Sequence, residues 1–337
     1  MKVIDREDVF FFPLFAIALL VRWSRLPALR HAAARFLAAL AYRFSRNKRR
    51  LMEQALDAAF GTLITPGERK AIIRGSLRSV WTELFTLVSG PLARPDYEPC
   101  EIRGLDHLHA SLAAGHGVIL WESNALAARW MPKRFLLERG FPLQQVHGFR
   151  DIGGFGCNNP ELTMLRRLMI RPFVSRCEAY FVAGISVLPV DGSVAVFREF
   201  QRRLAQNQIL CIAGDGLTGQ KFVTVRYLGQ SFRFATGMVS LAKATGAALH
   251  PIFCVPGEGG GYVLTVGERI LAGRGGDREE MAREAVLSFA RSLEELIRRF
   301  PNHYRNWHQV ALEGNLNRKS VSLSGQSNGH DETAGLS

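Results

Sequence analysis

The stretch Gly117-Val-Ile-Leu-Trp-Glu-Ser-Asn-Ala-Leu-Ala-Ala-Arg129 passes from a short apolar run into small and polar residues. Residues 117–121 read as a short apolar strand. Helix-forming residues follow over 125–139. A strand leading into a helix is the unit of an α/β sheet, and the chain repeats it. Further strands are expected at 144–147, 209–213, 223–227, 249–255 and 262–266, with helices at 105–114, 161–171, 194–205 and 237–245. The expected fold is therefore α/β, with a mixed, largely parallel sheet flanked by helices. The run GEGGG at 257–261 reads as a hairpin turn and not a phosphate loop, because no helix follows it.

Outward from this region the composition sets limits. Of 337 residues, 47% are apolar and 22% charged, with a mean hydropathy of +0.01, which excludes a disordered or polytopic membrane chain. The net charge of +13 is concentrated early: Arg22, Arg25, Arg30, Arg35, Arg43, Arg46, Lys48, Arg49 and Arg50 occur with no acidic residue among them. Just before them, 9–21 (VFFFPLFAIALLV) is apolar but shorter than the roughly 20 residues of a span. An uncleaved anchor, or a re-entrant or interfacial helix with arginine anchors, is the expectation for 1–50, and the phenylalanines argue against nucleic acid as its partner. Thr65-Pro66-Gly67-Glu68 carries the signature of a capping box, opening a helix that Gly90 and Pro91 stop. The α/β region is expected over 51–313, closed by a helix near 277–300, and 314–337 reads as a disordered tail. No His, Cys, Asp or Glu cluster has metal-ligand spacing.

Several stretches in order resemble the bacterial lipid A late (lauroyl/myristoyl) acyltransferases of the lysophospholipid acyltransferase superfamily. They are Glu101-Ile-Arg-Gly-Leu-Asp-His-Leu to Gly117-Val-Ile-Leu, Arg203-Leu to Asp215-Gly, Leu228-Gly-Gln-Ser-Phe-Arg-Phe-Ala-Thr-Gly through Ala242-Lys-Ala-Thr-Gly-Ala-Ala-Leu-His-Pro-Ile-Phe, and Leu293-Glu-Glu-Leu-Ile-Arg-Arg-Phe-Pro-Asn-His-Tyr-Arg-Asn-Trp-His. The resemblance implies a membrane-bound enzyme of lipid biosynthesis at the cytoplasmic face of an inner membrane. It implies transfer of a fatty acyl group from an acyl carrier protein or coenzyme A thioester to a lipid or glycolipid hydroxyl. The thioester is then a co-substrate, and no bound cofactor is expected.

The same resemblance exposes a departure. Members carry a histidine base and, five positions on, an Asp or Glu that orients it; aligned on Gly117-Val-Ile-Leu, those positions hold Asn124 and Arg129. Asparagine does not titrate and arginine accepts no hydrogen bond, so neither does the family's chemistry. Two readings remain: a base relocated to a neighbouring strand end, or a non-catalytic homologue that binds lipid or a partner. Glu122 and Asp215 are the candidate catalytic carboxylates, with Asn124 at the motif position, since ligands of open α/β sheets gather at the carboxyl ends of strands. Arg129, His147, Arg150, Lys221 and Arg226 are candidate contacts to phosphate or another anion. His308 and Glu313 have the motif spacing by chance, after the closing helix, and are not assigned.

Overall fold

In a computed structural model of the chain, the described residues are 8–92, 100–126, 128–148, 163–188, 194–215, 221–257, 261–270 and 277–316. Four helices come first: α1 (Asp8–Ser24), α2 (Pro27–Phe44), α3 (Arg46–Phe60) and α4 (Pro66–Ser89). The Thr65 side chain caps α4 by accepting from Glu68 N–H while Glu68 Oε2 accepts from Thr65 N–H at 2.7 Å, the reciprocal pair that the local sequence calls for.

The α/β part follows, with β1 (Cys100–Arg103), α5 (Leu105–Ala113), β2 (Val118–Glu122), α6 (Met131–Glu138), β3 (Leu143–Gly148), α7 (Met164–Glu178), β4 (Gly184–Leu188), α8 (Val194–Ala205), β5 (Ile209–Ala213), β6 (Phe222–Tyr227), β7 (Gln230–Ala235), α9 (Gly237–Thr245), β8 (Ala248–Pro256), β9 (Tyr262–Val266) and α10 (Arg278–Arg299). Seven strands form one sheet in the order β1-β9-β8-β2-β5-β3-β4, in which β8, β2, β5, β3 and β4 run parallel and β9 returns antiparallel to β8. The expected hairpin between the last two strands is present. The sheet is mixed and largely parallel, as expected.

Three expectations are corrected. The strand expected at 223–227 is β6, but it pairs only with β7 in a separate antiparallel hairpin. The helix expected over 125–139 begins only at Met131, because residues 123–126 are bonded to other parts of the site, as set out below. The chain is also still helical at 314–316, inside the segment read as tail; the rest of that segment lies outside the described residues.

Strand β2 is the centre of the sheet, and all five of its residues are buried. Its alternation divides the core: Ile119 and Trp121 join the face under α8, α9 and α10, and Val118 and Leu120 join the face under α5, α6 and α7. Trp121 stacks on Phe289 of α10 at 4.2 Å. A Cβ at Gly214 would fall 1.6 Å from Trp121 Nε1, so glycine is what lets the end of β5 lie beside the indole.

The first helices pack on the α/β part and on one another. Ala34 and Leu37 of α2 share a cluster with Phe85 and Val88 of α4, and Phe15 of α1 meets Phe173 of α7 edge-on at 5.3 Å. Their outer surface stays apolar: Trp23 is 77% exposed, Phe44 75%, Leu20 67% and Phe36 60%. No described helix is long and apolar enough to cross a membrane.

Candidate active site

The parallel strands β2, β5 and β3 end side by side, and their last residues carry the chemistry. Glu122 ends β2, Asp215 lies two residues past β5, and His147 is the penultimate residue of β3. All three are buried.

Glu122 is enclosed by donors. Lys133 Nζ from α6 lies 3.0 Å from Oε1 and 2.8 Å from Oε2, Gln145 Nε2 donates to Oε1 at 2.8 Å, and Arg129 Nε lies 3.5 Å from the same oxygen. Burial by itself would raise this carboxyl, but the Lys133 and Arg129 charges and the hydrogen bonds outweigh it and hold the pKa down to about 2. Glu122 is thus an anion over the whole useful pH range and a weak base. Its chemistry here is to hold two cations, both of which also lie over the Trp130 ring at 5.2 and 5.0 Å.

Arg129 extends the network to β3. Its Nη2 is 3.3 Å from His147 Nδ1, which as the acceptor leaves the imidazole proton on Nε2, 3.6 Å from Glu178 Oε1. Burial, with Arg129 and Lys133 nearby, lowers the His147 pKa to about 2, and burial raises Glu178 to about 7. The imidazole is therefore neutral and sealed inside, a link between Arg129 and Glu178.

Asp215 binds the turn after β2. Ser123 Oγ donates to its Oδ2 at 2.5 Å and Asn124 N–H donates to its Oδ1 at 2.8 Å, while Ala125 N–H donates to Ser123 Oγ at 3.1 Å. Burial raises the Asp215 pKa, and the Ser123 and Asn124 bonds offset part of that rise. The other side of this turn is held by the closing segment: Arg305 N–H donates to Ala125 O at 2.7 Å, the Arg305 guanidinium donates to Asn124 O, and Leu126 bridges Tyr304. These bonds replace the helical ladder and delay α6. Ala128 then takes a left-handed φ of +67°, a costly conformation for a residue with a Cβ, just before Arg129.

Of the residues singled out by sequence, Glu122, Asn124, Arg129, His147 and Asp215 come together here. Lys221 and Arg226 are exposed at the start of and on β6, and no contact among the described residues joins them to the cluster. Arg150 lies outside the described residues. Glu313 is a bidentate partner of Arg233 and takes no part. Sequence reading missed Ser123, Lys133, Gln145, Glu178, Arg305 and Glu83, whose carboxylate accepts from Trp130 N–H at 2.9 Å. Ser123 adjoined residues already under suspicion and Gln145 shares β3 with His147; the others reach the site from separate elements.

Comparison with known proteins agrees with the resemblance. A family model described as bacterial lipid A biosynthesis acyltransferase matches residues 182–310, a range that begins after the Asn124 and Arg129 positions. A phosphatidylinositol mannoside acyltransferase of Mycolicibacterium smegmatis (strain ATCC 700084 / mc(2)155) is 28% identical over 206 residues, covering 56% of this chain and 58% of that protein. One of Mycobacterium tuberculosis (strain ATCC 25618 / H37Rv) is 30% identical over 171 residues, covering 48% and 46%. The chain thus spans about half the length of the curated relatives it matches. Among solved structures, the 1-acyl-sn-glycerophosphate (LPA) acyltransferase PlsC from Thermotoga maritima aligns over 80% of this chain and 98% of its own, with 13% identity and a TM-score of 0.37.

Proposed function

We propose, from the match of residues 182–310 to the family model described as bacterial lipid A biosynthesis acyltransferase, that this chain transfers a fatty acyl group from an acyl carrier protein or coenzyme A thioester to the hydroxyl of a lipid or glycolipid. The acceptor class is a membrane glycolipid, because the curated relatives act under the name phosphatidylinositol mannoside acyltransferase and the outer face of α1 and α2 is apolar with arginines beside it. This face would lie on the cytoplasmic side of an inner membrane.

The observation that carries the reading is the Ser123–Asp215 hydrogen bond at the carboxyl end of the central strand. In this reading Asp215 takes the base's part through Ser123. The acceptor alcohol gives its proton to Ser123 Oγ as Ser123 gives its own to Asp215, whose affinity for a proton burial has raised. The resulting alkoxide attacks the thioester carbonyl. Arg129, which lines the same small cavity as Ser123, supplies positive charge for the tetrahedral oxyanion. Collapse breaks the carbon–sulfur bond, and the thiolate recovers the proton from Asp215 through Ser123. Glu122 and Lys133 position Arg129 and touch neither substrate.

A second reading has its own observation: Arg129 is already spent on Glu122 and His147, as in a site kept for binding alone. By the resemblance, Asn124 and Arg129 stand at the base and orienting positions. Mass-spectrometric detection of acylated lipid separates the two: product that is lost in Asp215→Asn supports transfer, and lipid binding with no product from any thioester supports the binding role.

A further inference from the structure

We infer that the cleft between α2, α4 and the 301–303 turn is a phosphate-binding subsite, taking the phosphate ester of an amphiphilic substrate. The acyl-transfer reading bears only on which molecule brings the phosphate. The cleft encloses about 330 Å³ and is lined by Arg35 of α2, by Arg78, Ser79 and Thr82 of α4, and by His303. Neither Arg35 nor Arg78 has a carboxylate partner within 4 Å among the described residues, so two guanidinium groups face one cavity without compensation. Guanidinium forks together with the Thr82 hydroxyl and an imidazole are a donor set that suits phosphate oxygens, while the Ser79 hydroxyl already donates to Ser76 O at 2.8 Å. The single carboxylate in the lining, Glu83, is held by Trp130 N–H.

The cleft is built and not incidental. A Cβ at Gly75 would fall 2.6 Å from Asn302 Cβ, so glycine there lets the turn carrying His303 close onto α4. On one side the cleft meets Ala128, which also lines the Glu122–Arg129 cavity; on another it meets α2, whose outer face exposes Phe36 and Leu40. A phosphate in it would stand between a lipid surface and the candidate active site.

The test is calorimetric titration of the full chain in neutral detergent with dihexanoyl phosphatidylglycerol, coenzyme A and dihexanoylglycerol. The expected result is binding of at least one phosphate-bearing probe, none of dihexanoylglycerol, and at least about 10-fold weaker binding in each of Arg35→Ala and Arg78→Ala, with Arg78→Lys intermediate. Preference for phosphatidylglycerol assigns the phosphate to a lipid headgroup, and preference for coenzyme A assigns it to the donor. Both arginines are exposed, so thermal midpoints should match wild type. Equal binding of the neutral lipid, unchanged affinity in the arginine variants, or no binding of either phosphate probe overturns the inference. Turnover without arginine-dependent binding would refute the subsite alone, and arginine-dependent binding without turnover would refute acyl transfer alone.

Discussion

Ser123 Oγ donates to Asp215 Oδ2 at 2.5 Å, joining the end of the central strand to that of its neighbour. The bond pairs a hydroxyl with a buried carboxylate whose basicity is raised. It also fixes the turn, since the other Asp215 oxygen accepts from Asn124 N–H.

Asp215→Asn therefore separates chemistry from structure. The amide oxygen still accepts one of these bonds, so the thermal midpoint should fall by only a few degrees. Loss of the proton acceptor should lower acyl transfer by about 10²–10⁴-fold. Thermal unfolding and product formation on the same preparation check both parts.

Glu122→Ala should behave in the opposite way. It leaves Lys133 and Arg129 buried beside a void, and breaking a buried ion pair costs about 3–5 kcal/mol. Denaturant titration should register that loss whether or not substrate is present. Adding Lys133→Met should recover part of it, because the uncompensated charge is gone.

Stability should depend on pH with a sign set by the cluster. Glu122 is held near 2 against an ordinary 4.5, so its contribution is full above 4.5 and lost as pH falls toward 2, while His147, near 2 against 6.5, contributes fully above 6.5 and loses it as pH falls toward 2. Glu178, raised to about 7, works the other way: its contribution is full below 4.5 and is lost as pH rises through 7. Glu178→Gln should match wild type near pH 4 and exceed it by on the order of 3 kcal/mol above pH 7. Urea midpoints across this range measure the difference.

Trp23, Phe36 and Phe44 are exposed, so replacing all three by serine should leave the folded protein's stability unchanged. It should strongly reduce co-sedimentation with vesicles containing anionic lipid. Retained sedimentation would place membrane contact elsewhere.

Much of the fold was legible because it rests on local pattern. Residues 117–121 read as a short apolar strand, and Thr65 and Glu68 declared a cap three residues apart. Three strands escaped: Cys100–Arg103 and Gly184–Leu188 lie at the two sheet edges, and Gln230–Ala235 alternates polar and apolar in a small hairpin. Edge strands need fewer apolar residues and so carry a weaker signal. Within the site, Glu122 and Asp215 were legible as strand-end carboxylates. Lys133, Glu178 and Arg305 were not, because what matters about them is the element that folds over the strand ends. The late start of α6 was equally hidden: the bonds that hold 123–126 come from Asp215 and Arg305, about 90 and 180 residues away.

The most direct measurement is acyl transfer itself, followed by mass spectrometry with acyl carrier protein and coenzyme A thioesters and mannosylated phosphatidylinositol as acceptor. The account predicts acylated glycolipid from the wild-type chain and at least about 100-fold less from Ser123→Ala and Asp215→Asn. Wild-type product that persists undiminished in both folded variants would contradict it.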